Sequence, residues 1–279
     1  LRARGTDLEQ LRWVPDSNSL GYFYREVIRF LGYDMFEEYK VMGLAPYGDP
    51  SRHRSLFETL YDLLPEGEYV VYLHRISDLH SLLAPRKAGE PFTTLHKDIA
   101  ASLQEALEVL VFHMLRHFRK TTGETRLCLS GGVALNSSLN GKILLSGLFD
   151  QVFVHPASHD AGGALGAAID AHRTLCPNIP VGKLDHLFLG KDIGDIPSVC
   201  AGIERWRSLV TVEHLENPCA TAAQMLANGK VIGWVQGRSE FGPRSLGNRS
   251  ILADPRPAEN MTRINKMIKK REGYRPFAP

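Results

Sequence analysis

The chain has 279 residues, 43% hydrophobic and 23% charged, and its 33 lysines and arginines against 31 acidic residues leave a net charge of +2. That length exceeds the usual single core and favours two domains or one large α/β domain. No run approaches the roughly 18 apolar residues that a membrane helix needs, and the near-neutral charge gives no general pull toward nucleic acid or an anionic membrane.

The first strong element is "SLGYFYREVIRFLG", where Leu20, Phe23, Val27, Ile28 and Leu31 recur at helical spacing between a serine start and a glycine stop. "EEYKVMGLAPYGDP" follows, reading as a tight loop between Gly43 and Gly48 with Lys40 at its entrance, either a cofactor-binding cation or part of a plain surface turn. The pattern then predicts a helix over 53–64, a strand over 69–73, a proline-containing loop over 80–95, and a long helix ending at Gly123. That helix leads to "LCLSGGVALN", which predicts a buried strand at Leu127, Cys128 and Leu129, a glycine bend and a helix starting near Asn136 and Ser137. A similar unit recurs with strand residues Val152–Val154, a polar bend at Ser158–Asp160 and a small-residue helix from about Ala161. Pro, Gly and Asp scattered over 181–208 suggest a linker, after which a helix (218–229) and a strand (230–236) begin a new α/β pattern.

Several constellations have the composition of an anion site. Ser130, Gly131 and Gly132 offer a hydroxyl and bare backbone N–H groups ahead of a helix, suited to a nucleotide phosphate, although structural glycines are common in such turns. The spacing matches neither a Walker loop nor the dinucleotide GxGxxG pattern. Asp160 before Gly162 and Gly163 is either a metal or water-orienting carboxylate or a helix N-cap. His113 and His117 share a helix face at metal-ligand spacing, but the basic residues around them favour a solvated or packed face. The most specific stretch is "GRSEFGPRSLGNRS", whose Arg238, Arg244, Arg249 and Glu240 sit among shape-fixing glycines. Arginine forks recognise phosphate or carboxylate oxygens bidentately.

Four collinear motifs, "EEYKVMGLAPYG", "LSGGVALNSSLNGKI", "SHDAGGALGAAI" and "GRSEFGPRSLGNRSILADPR", resemble the O-carbamoyltransferases of antibiotic and nodulation-factor biosynthesis. The resemblance implies an α/β architecture: residues 1–190 as the C-terminal part of an actin/Hsp70-like, threonylcarbamoyl-transferase-like domain, and 205–279 as the N-terminal part of a threonylcarbamoyl-AMP-synthase-like domain. It implies ATP and a divalent metal, iron or magnesium, as cofactors, and carbamoyl phosphate and a hydroxyl-bearing small molecule as partners. By motif, Ser130, Gly131, Gly132, Asn136, Gly162 and Gly163, with Lys40, would hold the nucleotide, and Asp160 the metal. Arg238, Arg244 and Arg249 would bind the carbamoyl phosphate or adenylate phosphate, with Arg244, Arg249 and Glu240 as the catalytic candidates. The family's two metal-binding histidines belong to a different helix from His113 and His117, so that role is not carried over.

Both ends, "LRARGTDLEQ" and "REGYRPFAP", read as cut through structure, so a truncated enzyme is expected. Four dispersed cysteines without a CxxC pair, and no signal peptide, suggest reduced thiols in a cytoplasmic protein. The sequence leaves the oligomeric state open, a homo-oligomer included. The alternatives are a sugar kinase or chaperone-type ATPase, which would leave the arginine block unexplained, and a non-catalytic nucleotide-binding scaffold. A tRNA-modifying role is disfavoured by the absence of a basic footprint.

Overall fold

A computed structural model describes residues 1–278 except 6, 83, 88 and 183, with the side chains of 80–82 also outside the description; Pro279 of the C-terminal motif lies outside it too. The protein is mixed α/β and divides into two compact units, Leu1–Val154 and His155–Pro279. All four sheets among the described residues are two-stranded.

The first unit starts with the antiparallel strands β1 (Arg2–Arg4) and β2 (Asp7–Glu9). Helix α1 (Leu20–Phe30) begins at Ser19, whose hydroxyl accepts the Tyr22 N–H, and its apolar stripe is buried as the periodicity predicts. The expected tight loop after it is instead helix α2 (Glu38–Leu44) running into a 3-10 turn at Ala45–Tyr47. Nor is this a plain surface turn. A Cβ on Gly48 would lie 2.0 Å from the Lys97 carbonyl oxygen, so the backbones touch there.

The helix expected over 53–64 breaks into α3 (Arg54–Phe57), a 3-10 turn and strand β3 (Tyr61–Leu63), which pairs antiparallel with β4 (Tyr69–Val71). Helix α4 (Leu73–Leu82) occupies part of the segment read as strand end and loop. In each case short-range apolar runs fit helix and strand alike, and pairing with a distant segment decides.

Helix α5 (Thr94–Thr122) is the axis of this unit. Thr93 and His96 form a reciprocal N-terminal cap, and Gly123, at φ +72°, ends the helix where predicted. Ile99, Leu103, Leu107 and Leu110 form a fully buried stripe, each side chain contributing about 1.5–3 kcal/mol by its burial. Asp98 on the same helix ties down the 48–52 turn, accepting from the Asp49 N–H at 2.8 Å and from Arg52 at 3.2 Å.

Strand β5 (Arg126–Leu129) leads through the glycine bend to helix α6 (Ser137–Leu145), and β6 (Gln151–Val154) pairs with β5 in parallel. The β5 strand is half-buried rather than buried. Cys128, read as core, is exposed, because alternate residues face opposite sides and only Leu127 and Leu129 turn inward.

The second unit contains α7 (Ala161–Leu175), α8 (Ile196–Glu204), α9 (Pro218–Ala227), β7 (Ile232–Val235), β8 (Arg249–Leu252) and α10 (Glu259–Arg263), the last continuing as one π-helical turn over Ile264–Ile268. Strands β7 and β8 are antiparallel, with Ile232 opposite Leu252 and Val235 opposite Arg249, so the arginine motif forms the loop between paired strands. The stretch expected as linker is ordered against that loop. Phe241 donates to the Leu187 carbonyl at 2.7 Å, Gly190 to Ser239 at 2.9 Å and Ser239 to Lys191 at 3.0 Å, and Asp192 bridges to Arg238. Among the described residues no helix is long and apolar enough to cross a membrane.

Candidate anion and nucleotide site

The glycine bend after β5 has the form its sequence predicts. Gly131 sits at φ +94°, a conformation L side chains rarely adopt, and the Ala134 N–H returns to its carbonyl at 3.1 Å. Nothing lies within 4 Å of where a Cβ on Gly131 or Gly132 would be, so these glycines face open space that a ligand can enter. Asn136 caps α6 by accepting the Leu139 N–H at 3.0 Å. Its amide also forms two hydrogen bonds with the Gln104 amide, a contact with no counterpart in the sequence reading.

Lys40 lies on α2 in an ion pair with Glu37 and stacks its ammonium over Tyr33 at 5.1 Å, so its charge is already engaged within the first unit. His113 donates to the Leu64 and Glu68 carbonyls at 2.8 and 3.0 Å, and His117 packs beneath Gly67. The histidine face is therefore a packed one, as its basic surroundings suggested.

In the second unit the bend before α7 packs on the arginine loop. The His155 ring meets the Phe241 ring at 6.1 Å, and a Cβ on Gly242 would lie 3.3 Å from the Pro156 carbonyl oxygen. Gly162 sits where a Cβ would meet the Ala157 carbonyl oxygen at 2.2 Å, while Gly163 faces open space. Asp160 occupies the N-cap position of α7, but its carboxylate makes no capping bond. It is exposed and without a hydrogen-bond or ion-pair partner among the described residues. Those residues contain no group of three His, Cys, Asp or Glu that could hold a metal.

The three arginines of the loop divide into two kinds. Arg249 donates from Nη1 to the Gln236 and Asn248 carbonyls at 2.7 and 2.8 Å and from Nη2 to Gly237 at 3.0 Å. Arg238 donates to Gly190 and Leu189 at 3.0 and 3.3 Å. Both spend their forks on neutral carbonyls, which fixes the backbone, and neither has an ion-pair partner among the described residues. Arg244 is exposed and makes no hydrogen bond or ion pair among the described residues.

Glu240 is turned inward on the loop. Its Oε1 accepts the N–H groups of Leu246, Asn248 and Arg249 at 2.9, 2.8 and 3.1 Å. Those bonds, that from Leu246 foremost, hold its carboxyl at about 2, so it is ionised at neutral pH and organises the loop.

Two family models match the chain: "Carbamoyltransferase N-terminus" over residues 4–169 and "Carbamoyltransferase C-terminus" over 223–279. Among curated relatives, nodulation protein NolO of Bradyrhizobium diazoefficiens is 57% identical over 99% of this chain and 50% of its own length. Nodulation protein NolNO of Sinorhizobium fredii is 55% identical over 99% of the chain and 41% of its own. The 3'-hydroxymethylcephem-O-carbamoyltransferase of Streptomyces clavuligerus is 36% identical over 86% of the chain and 43% of its own. The chain thus spans about half the length, or less, of these relatives.

Proposed function

Because the chain belongs to the carbamoyltransferase family, we propose that it takes part in ATP-dependent O-carbamoyl transfer. Water releases inorganic phosphate from carbamoyl phosphate, and an oxygen of the resulting carbamate bonds to the α-phosphorus of ATP as pyrophosphate leaves, giving carbamoyl adenylate. The oxygen of an acceptor hydroxyl then bonds to the carbamoyl carbon as the bond to phosphate breaks and AMP leaves. The acceptor class is a hydroxyl-bearing small molecule, a saccharide or other natural product, in line with the names of the nodulation and cephem relatives. Residues 1–190 are assigned to an actin/Hsp70-like carbamoyl-transfer domain and 205–279 to a synthase-like domain, a two-part reading supported by separate family matches at 4–169 and 223–279.

The observation that carries the reading is Arg244. It is an exposed guanidinium with no partner among the described residues, on a loop shaped by the inward bonds of Arg238, Glu240 and Arg249. Bringing carbamoyl phosphate to ATP sets anion against anion. Positive charge fixed beforehand lowers that repulsion without reorganising during reaction. Arg244 is the group we assign to the phosphate oxygens, with Arg249 and Arg238 adding field through their positive charges and Glu240 keeping the loop in shape. Within the first unit, Ser130, Gly131 and Gly132 border exposed backbone suited to a nucleotide, Asn136 caps the helix that follows, and Lys40 is held by Glu37. Within the second unit, Gly163 faces open space and Gly162 packs against the Ala157 carbonyl, and both are assigned to nucleotide contact by motif.

Asp160 is the candidate carboxylate for a divalent metal, iron or magnesium. When bound, such an ion would polarise the carbamoyl carbonyl. One carboxylate alone does not hold a divalent cation, so the residues gathered here do not make a complete site, and no step is routed through the metal. The four free cysteines fit a reducing, cytoplasmic setting, and a homo-oligomer is compatible with the reading.

Isothermal titration of carbamoyl phosphate, alone and with ATP, tests the assignment. Arg244→Ala should weaken carbamoyl phosphate binding by about tenfold or more, with the thermal midpoint unchanged. Undiminished binding in a folded Arg244→Ala protein would remove the assignment.

A further inference from the structure

Behind the glycine bend lies a largely buried polar network of which the transfer reading uses Asn136 alone. Gln104, buried on α5, satisfies every hydrogen-bonding position it has. Its Nε2 donates to Glu108 Oε1 at 2.9 Å and to Asn136 Oδ1 at 3.2 Å, and its Oε1 accepts from Asn136 Nδ2 at 2.9 Å and from the Tyr24 hydroxyl at 3.3 Å. Glu108, also buried, takes the Lys142 ammonium on its other oxygen.

The direction of this chain of bonds is fixed at both ends. An ionised carboxylate only accepts, so Gln104 must turn its NH₂ toward Glu108. The Leu139 N–H only donates, so Asn136 must turn its oxygen toward α6. With both amides locked, the Gln104–Asn136 pair has one arrangement. Burial first, and the Glu108 charge second, push the Tyr24 phenol well above its ordinary value, so it stays a donor.

We infer that Gln104 is a positioning residue for the nucleotide-facing bend, acting through Asn136. Asn136 stands four residues beyond Gly132 at the junction of the bend and α6, and its side-chain oxygen takes one first-turn N–H of that helix, that of Leu139. Three of its four hydrogen-bonding positions are spent on Gln104 and Leu139. Its contribution to nucleotide binding is therefore the shape it gives the bend, and Gln104, aimed by Glu108, sets that shape. The link from bend shape to nucleotide affinity rests on the proposed function.

The experiment has two arms, run on the chain as it stands. Amide hydrogen exchange reads the bend without any ligand: Gln104→Leu should speed exchange over residues 134–139 by about tenfold while leaving the β3–β4 hairpin unchanged. Tyr24→Phe removes one of the four bonds, guards against a Gln104→Leu protein that fails to fold, and should give a smaller rise in the same segment. ATP titration then reads coupling. Gln104→Leu and Asn136→Ala should each weaken binding by about tenfold, and the double variant by about tenfold rather than a hundredfold, because both act through one contact.

Unchanged exchange over 134–139, or exchange that rises equally everywhere, overturns the positioning role. Multiplying affinity losses, or a Gln104→Leu protein that binds ATP as well as wild type, overturns the claim that Gln104 acts through Asn136 on the site. If wild-type protein binds no ATP, the nucleotide reading fails, and the exchange arm still decides whether Gln104 sets the bend.

Discussion

The two compact units are held together by different physics. Residues 1–154 bury Phe23, Phe30, Phe57, Ile28, Leu103 and Leu110 almost completely. In 155–279 the described buried residues are Ala157 and Ile264 with five polar ones, Ser158, Asn248, Asp254, Asn260 and Asn265. Three of the polar side chains clamp backbone. Asn248 donates to the Arg238 carbonyl at 2.8 Å, Asn260 to Asp254 at 2.9 Å, and Asn265 to Gly273 and Arg275 at 3.1 and 2.9 Å. Apolar burial is non-directional and sets how tightly elements collapse, whereas hydrogen bonds to carbonyls are directional and fix a loop's shape. The loop proposed to bind an anion would need its shape more than a large core. The comparison teaches that the arginine motif is a built object, with two of its three arginines serving as scaffold.

The largest expected effect lies in the apolar unit. Phe23→Ala, at a fully buried position, should cost about 3–5 kcal/mol in urea unfolding, with hydrogen exchange over residues 236–249 unaffected. A matching rise in exchange over the arginine loop would break the contrast between the two units. An intermediate effect comes from the polar clamp. Asn248→Ala removes the bond to Arg238 and should cost about 1 kcal/mol, read as a local rise in exchange over the 236–249 loop; a global loss without a local one would count against the clamp.

The smallest effect is a pH dependence. Glu240 is held near 2 against an ordinary 4.5, so its folded value is depressed, and the stability it adds is present above about 4.5 and is lost as pH falls toward 2. Loop protection measured over this window should decline in the wild type, and Glu240→Gln should flatten the decline. A loop that keeps its full protection at pH 2 would assign its shape to the arginines alone.

Much of this was legible in the residues. The α1 stripe, the serine and glycine ends of α1 and α5, the bend at Gly131 and the start of α6 at Asn136 follow from periodicity, capping and glycine chemistry, which operate over a few residues. The helix expected over 53–64 and the linker over 181–208 failed because their outcome depends on partners far along the chain: β3 on β4, and 187–191 on 239–241. The Gln104–Glu108 pair left a faint signal as two polar residues four apart in the apolar run "AASLQEALEVLV", but nothing local pairs Gln104 with Asn136, 32 positions away.

By itself the sequence determined the residue types of the candidate site: which stretches could carry anion chemistry, and, through four collinear motifs, the carbamoyltransferase family. Only the tertiary structure decided how those residues are used. It spends Arg238 and Arg249 on carbonyls, turns Glu240 into the loop, leaves Arg244 exposed without a partner among the described residues, and engages Asn136 with Gln104. The reason is that a side chain's chemistry is local, while its availability depends on which donors and acceptors the fold places within hydrogen-bond reach.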